Sequence, residues 1–323
     1  MPSKKKKPYP PPLVVDPISS KHTHTFIILH GLGSNANRFG PEFLESTNLP
    51  AQLPTVKFIF PTASKRRSTV FKKMPIHQWF DIFSLEDPGQ RSDLQIDGLC
   101  ETGQFLRKLI DDEACLLGDG GHLKVVLGGL SQGCAAGVFT LLGGGFGARG
   151  DKALGGFFGM SGWLPFVQQV RDIFTSRTAA KDEDGDGDEI SSAPVSFDGF
   201  EREQDGGEAE SPTHQAVNHI RDILDLSLLS ESTGEELEPA APELSSLCHL
   251  RTPIFLGHGS TDPKVSVQHG EGMSSLLSEQ LRMDVTWEVY PEFGHWYKIP
   301  DEIDDILLFL REKVDSSLFP ERR

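Results

Sequence analysis

A serine hydroxyl is a weak nucleophile at neutral pH. It becomes useful when a base stands beside it, a carboxylate orients that base, and hydrogen-bond donors face the charge that develops. The sequence offers a candidate for each role. Gly129-Leu130-Ser131-Gln132-Gly133 reads G-x-S-x-G, with an apolar run ending at Leu127 before it and an apolar stretch from Cys134 after it. Between a strand and a helix, such a serine occupies a strained turn that lifts its hydroxyl off the sheet, and the glycines let strand and helix approach. The pattern arises by chance in a chain with 33 glycines, so its weight comes from context and companions.

The companions follow in the order this kind of elbow requires: nucleophile, then acid, then histidine. The apolar run 254–256 leads into Gly257-His258-Gly259-Ser260-Thr261-Asp262, and 285–290 leads into Pro291-Glu292-Phe293-Gly294-His295. Upstream, 26–29 leads into His30-Gly31-Leu32-Gly33, a turn whose backbone N–H can face an oxyanion. Ser131, Asp262 and His295 are therefore the expected nucleophile, acid and base, with the N–H groups of Leu32 and Gln132 as oxyanion donors. Asp262 precedes Pro263, which suits a turn as well as a catalytic acid. His258 also neighbours the acid but lies too early in the chain to be the base. His30 and His77 are expected to shape loops.

These residues need a scaffold. Runs at 26–29, 56–60, 124–127, 154–160, 254–256 and 285–290 read as buried strands, and apolar periodicity at 94–117, 132–142, 268–281 and 303–314 reads as helices. Strands alternating with helices predict an α/β fold: a mostly parallel sheet covered on both faces, with its site outside the carboxyl ends of the strands. All the candidates fall there. No repeat of 20–50 residues is present.

The 31 Lys+Arg and 47 Asp+Glu give a net charge of −16, unevenly distributed. Residues 181–243 contain three basic and nineteen acidic residues, which leaves 28 of each sign elsewhere. The acidity is therefore regional, and the predicted organisation is a Lys/Pro-rich tail over 1–20, one domain formed by 21–170 and 246–318, and an acidic, largely disordered insertion over 171–245. A candidate helix lies near 215–229; its apolar face suits packing on the main domain better than a lid. Asp182, Asp184, Asp186 and Gly187 mimic a calcium loop, but Ala193 occupies the position that needs a bidentate Glu. No histidine spacing suits zinc, and no metal or cofactor is expected.

An acidic chain is a poor nucleic-acid partner, and the four lysines at 4–7 support at most peripheral contact with a membrane. There is no signal-peptide pattern and no run of 18 apolar residues, and the four cysteines are scattered. A soluble protein of the cytoplasm or nucleus, monomeric or weakly dimeric, is the expectation.

His30-Gly31-Leu32-Gly33, Trp79-Phe80-Asp81, Gly129-Leu130-Ser131-Gln132-Gly133, Ser161-Gly162-Trp163-Leu164-Pro165, Gly259-x-x-Asp262-x-x-Val265 and Gly294-His295 together resemble the acyl-protein thioesterase/phospholipase–carboxylesterase family of α/β hydrolases. The match covers about 24–170 and 247–312 and has the look of a fungal-type member with an acidic insertion. The resemblance implies the same triad and oxyanion donors. It also implies an apolar channel for an acyl chain and hydrolysis of thioesters or esters, on acylated proteins, lysolipids or small esters. Trp79, Phe80, Trp163 and Leu164 are the expected substrate-binding residues. The stretch Gly33-Ser34-Asn35-Ala36-Asn37-Arg38 lacks the acidic residue common in the family after His-Gly-x-Gly. Three alternatives stay open: a small-metabolite carboxylesterase or lactone hydrolase on the same core, a serine peptidase of the same fold, and an interaction scaffold acting through the acidic insertion.

Overall fold

The computed structural model describes residues 9–182, 210–230 and 247–319. Its centre is a seven-stranded sheet in the order β1-β3-β2-β6-β7-β8-β9, formed by Leu13–Val15, Val56–Phe60, His24–Leu29, Val125–Leu130, Gly156–Met160, Ile254–Gly259 and Val285–Tyr290. All neighbours are parallel except β1, which runs antiparallel to β3. A separate antiparallel hairpin joins β4 (Lys65–Ser68) to β5 (Met74–His77).

The central strands are apolar without alternation because both their faces are covered. Along β2, Ile27 and Leu29 enter one core and Phe26 and Ile28 the other. The first core packs α3 (Ile96–Leu116), α4 (Gln132–Gly143), α5 (Val167–Asp182), α6 (Pro212–Ile223) and α7 (Val267–Ser275) on one face. The second packs α1 (Ala36–Thr47), the short α2 (Leu49–Gln52) and α8 (Asp301–Phe309) on the other. This is the architecture the alternating pattern predicts. The helices expected at 268–281 and 303–314 each close with a π turn, at Leu276–Gln280 and Leu310–Val314.

Two stretches depart from the sequence expectation, and a third matches it. Residues 9–20, assigned to a disordered tail, are docked: β1 pairs with the edge of β3, and the Tyr9 ring stacks on Phe105 with centroids 3.9 Å apart. Residues 171–182, assigned to the insertion, continue α5, whose Val170 is buried in the main core. The helix expected near 215–229 is α6, and it packs on the main domain as its apolar face suggested, seating Ala216, Val217 and Ile220 in that same core. Arg221 donates from Nη1 to the Gly143 carbonyl and from Nε to the Ser227 carbonyl, both at 2.7 Å, so a cation satisfies the C-terminal end of α4. The lysines at 4–7 and the acidic runs at 183–209 and 231–246 lie outside the described residues.

Candidate active site

The candidate triad and oxyanion groups sit at the carboxyl ends of parallel strands of the one sheet: residues 30–34 after β2, Ser131 after β6, Asp262 after β8 and His295 after β9. Ser131 has φ 56° and ψ −120°, a backbone conformation in which L-residues are strained. The flanking glycines show what holds it there. A Cβ on Gly129 would lie 2.4 Å from the carbonyl carbon of Gly133, and one on Gly133 would lie 2.4 Å from the Leu29 carbonyl oxygen. The strain persists because strand, turn and helix are pinned together, with the Ser131 N–H donating to Met160 O at 2.8 Å and its carbonyl accepting from Ala135 N at 3.1 Å.

His295 Nδ1 lies 2.6 Å from Asp262 Oδ2. The Asp262 side chain is wholly buried, and that of His295 nearly so. Burial opposes charge on Asp262. The histidines His258 and His295 and the N–H groups of Val265 and Lys264 outweigh that penalty and hold its carboxyl well below the usual carboxylate range. Because Asp262 stays ionised, Nδ1 of His295 must carry the proton in this bond, which leaves Nε2 as the basic nitrogen. Ser131 and His295 line one cavity of about 210 Å³, together with Gly31, Leu32, Leu130 and Val265. Among the described residues, neither the Leu32 N–H nor the Gln132 N–H has a protein acceptor.

The cavity wall differs from the one expected. Trp79 and Phe80 are fully buried and do not line the cavity at Ser131; the Trp79 indole Nε1–H donates to the His30 carbonyl at 2.8 Å. Their place is beneath the site, because Phe80 packs between Trp163 and the start of α3, where a Cβ on Gly98 would lie 2.7 Å from Phe80 Cβ. Trp163 and Leu164 face a neighbouring groove with Pro88, Phe166 and His269 rather than the cavity at Ser131. The apolar wall there comes from Phe39, Phe71, Leu85 and Trp296, with Lys264 at the edge. Only Trp296, next to His295 in the chain, carried a usable sequence signal. Phe71 belongs to the hairpin turn, which Asp81 fixes by accepting from Thr69 N at 2.7 Å and from the Thr69 hydroxyl.

Comparisons with known proteins bear on the family. Residues 11–191 match the family model described as phospholipase/carboxylesterase. The acyl-protein thioesterase 1 of Cryptococcus neoformans is 32% identical over 309 residues, covering 91% of this chain and 93% of the relative. The chain belongs to the phospholipase/carboxylesterase family. The acyl-protein thioesterase 1 of Gibberella zeae is 26% identical over 306 residues, covering 93% of this chain and 95% of the relative. Among solved structures, Zea mays acyl-protein thioesterase 2 superposes with a TM-score of 0.60 at 21% identity, over 94% of this chain and 98% of that one. Arabidopsis thaliana SOBER1 gives 0.58 at 17%, over 90% and 99%. These two establish the α/β-hydrolase fold of the phospholipase/carboxylesterase family member. Membership makes the chain an ester hydrolase. Among the described residues no helix is long and apolar enough to cross a membrane, and no group of three or more His, Cys, Asp or Glu could hold a metal ion.

Proposed function

We propose that the chain is a serine hydrolase that cleaves acyl thioesters and esters through an acyl-enzyme, with Ser131 as nucleophile, His295 as general base and Asp262 as the carboxylate that orients it. The observation that carries the reading is the 2.6 Å contact between Asp262 Oδ2 and His295 Nδ1, made at a cavity that His295 shares with Ser131. Ser131 Oγ attacks the acyl carbonyl as His295 Nε2 takes its proton, and the Leu32 and Gln132 N–H groups receive the oxyanion. His295 then protonates the departing thiol or alcohol, and water repeats the sequence on the acyl-enzyme.

The substrate class follows from the wall and from the relatives. The relatives named above are acyl-protein thioesterases, and the wall here is aromatic and aliphatic. A cavity of about 210 Å³ lies below the ~300–1,000 Å³ typical of small-molecule pockets, so a long acyl chain extends out over Phe71 and Trp296, both partly exposed. The preferred substrate is thus an S-acylated protein cysteine, met from solution or at a membrane surface. Hydrolysis of short esters is the second reading, favoured by the small cavity.

One enzyme preparation assayed against a palmitoylated cysteine peptide, a lysophospholipid and a short-chain ester separates these readings. The account expects the highest kcat/KM on the acylated peptide. A preference of tenfold or more for the short ester would replace it with the second reading.

A further inference from the structure

The proposed oxyanion donors, Leu32 N–H and Gln132 N–H, come from the loop after β2 and the first residue of α4, 100 positions apart in sequence. A stabilising donor acts only if its direction is fixed before the charge appears, so something must hold both peptide groups in register. The structure contains one connected set of buried hydrogen bonds that does so. The Gln132 side chain accepts from Trp79 N–H at 3.0 Å through Oε1 and donates through Nε2 to Phe80 O at 2.8 Å. The Trp79 indole N–H donates to His30 O at 2.8 Å. His30 accepts from Ala63 N–H at Nε2, 3.1 Å away, so its Nδ1 is the protonated nitrogen and donates to Gly31 O at 2.8 Å. Gly31 C=O and Leu32 N–H belong to the same planar peptide unit and point in opposite directions. Fixing the carbonyl fixes the N–H.

We infer that Trp79, His30 and the Gln132 side chain are positioning residues that brace the two oxyanion donors as one unit, an inference that rests on the serine-hydrolase reading above. All three are completely buried, and none touches the cavity, so they act on the reaction only through the donors. The arrangement needs a neutral His30, and burial supplies it by lowering the imidazole pKa to about 4. The brace also accounts for the side-chain identity at position 132. A backbone N–H is available from any residue but proline, whereas accepting from Trp79 N–H and donating to Phe80 O at once takes a side chain with both functions, which the amide of Gln132 supplies through two separate atoms.

The test uses Gln132→Met and Trp79→Phe in the full chain. Each removes brace hydrogen bonds while keeping most of the buried volume. Rates are expressed per site titrated with a fluorophosphonate, which counts only folded, competent molecules. Inhibition by an alkylboronic acid, whose tetrahedral adduct places an oxygen in the hole, is measured alongside. The expected result is a loss of about 10–100-fold in kcat, a parallel loss in boronic acid affinity, and a KM within about threefold of wild type, since a misaimed donor costs less than the 10²–10³ of a missing one. A purely structural role would lower thermal stability and leave kcat and boronic acid affinity per titrated site within twofold of wild type; that result overturns the inference. A Ser131→Ala control separates the two levels, because hydrolysis surviving in that variant would refute the serine-hydrolase reading rather than the brace.

Discussion

Asp262 Oδ2 receives two histidines: His295 Nδ1 at 2.6 Å and His258 Nε2 at 3.3 Å. The two are not equivalent. His258 Nε2 is also 2.9 Å from the Val265 carbonyl, which can only accept, so this nitrogen carries a proton shared between Val265 O and Asp262 Oδ2. Its other nitrogen is buried without a partner among the described residues, beside the Trp287 ring. His258 is thus a fixed donor to the acid, and His295 is the histidine that reaches the cavity.

Replacing the acid should damage the chemical step far more than binding. In Asp262→Asn the amide cannot stabilise an imidazolium at His295 and presents a donor where an acceptor is needed. Steady-state kinetics should show kcat down by roughly 10³–10⁴ with little change in KM. A loss below tenfold would exclude Asp262 from the triad.

His258 offers a finer test. Its N–H draws charge from the same oxygen that His295 uses, so removing it leaves Asp262 more able to stabilise an imidazolium. His258→Phe should move the acid limb of the kcat/KM profile to higher pH, with kcat falling only about 2–10-fold, the scale of one hydrogen bond. His258→Gln, which can restore an N–H near Nε2, should return the limb toward its wild-type position.

Glu302 makes stability depend on pH. Burial, with a smaller contribution from Asp305, raises its carboxyl pKa to about 8, even though it accepts from the Lys298 N–H at 2.8 Å. The unfolded chain releases this proton near the ordinary value of 4.5, so between those limits the folded state binds more protons and stability falls as pH rises. Glu302→Gln keeps the shape without the charge. Thermal melts should show the variant gaining on wild type from pH 5 to about pH 8 and levelling off above it, with no such widening if the carboxyl is ionised throughout.

Arg221 tests whether α6 is part of the domain's structure. Arg221→Met removes two 2.7 Å bonds to carbonyls at the end of α4 and beyond α6. Calorimetry should show a loss of about 1–3 kcal/mol, with hydrolysis per titrated site unchanged because Arg221 is remote from the cavity.

The alternation of strands with helices around a mostly parallel sheet was legible in the sequence because it depends on local pattern: apolar runs, helical periodicity and glycine turns. What was not legible depends on docking. The hairpin sequence Lys65-Arg66-Arg67-Ser68 has no strand-like alternation, and its turn is fixed by Asp81, twelve residues from Thr69. α1 contains Gly40 and Pro41, which mask a helix signalled by Asn35 as N-cap and by Phe39, Phe43 and Leu44 on one face. Trp79 and Phe80 show the limit most clearly, since an aromatic residue in a motif reads the same whether it touches substrate or lies beneath the site. The sequence pattern located the segment, and only its hydrogen bonds revealed what it braces.

The central claim is that Ser131 is the nucleophile of the site that Asp262 and His295 complete. Incubation with an alkyl fluorophosphonate, followed by peptide mapping in a mass spectrometer, tests it directly. The account predicts one stoichiometric adduct on the peptide that contains Ser131, abolished in Ser131→Ala and strongly slowed in His295→Ala. An adduct on any other serine, or labelling undiminished in Ser131→Ala, would contradict it.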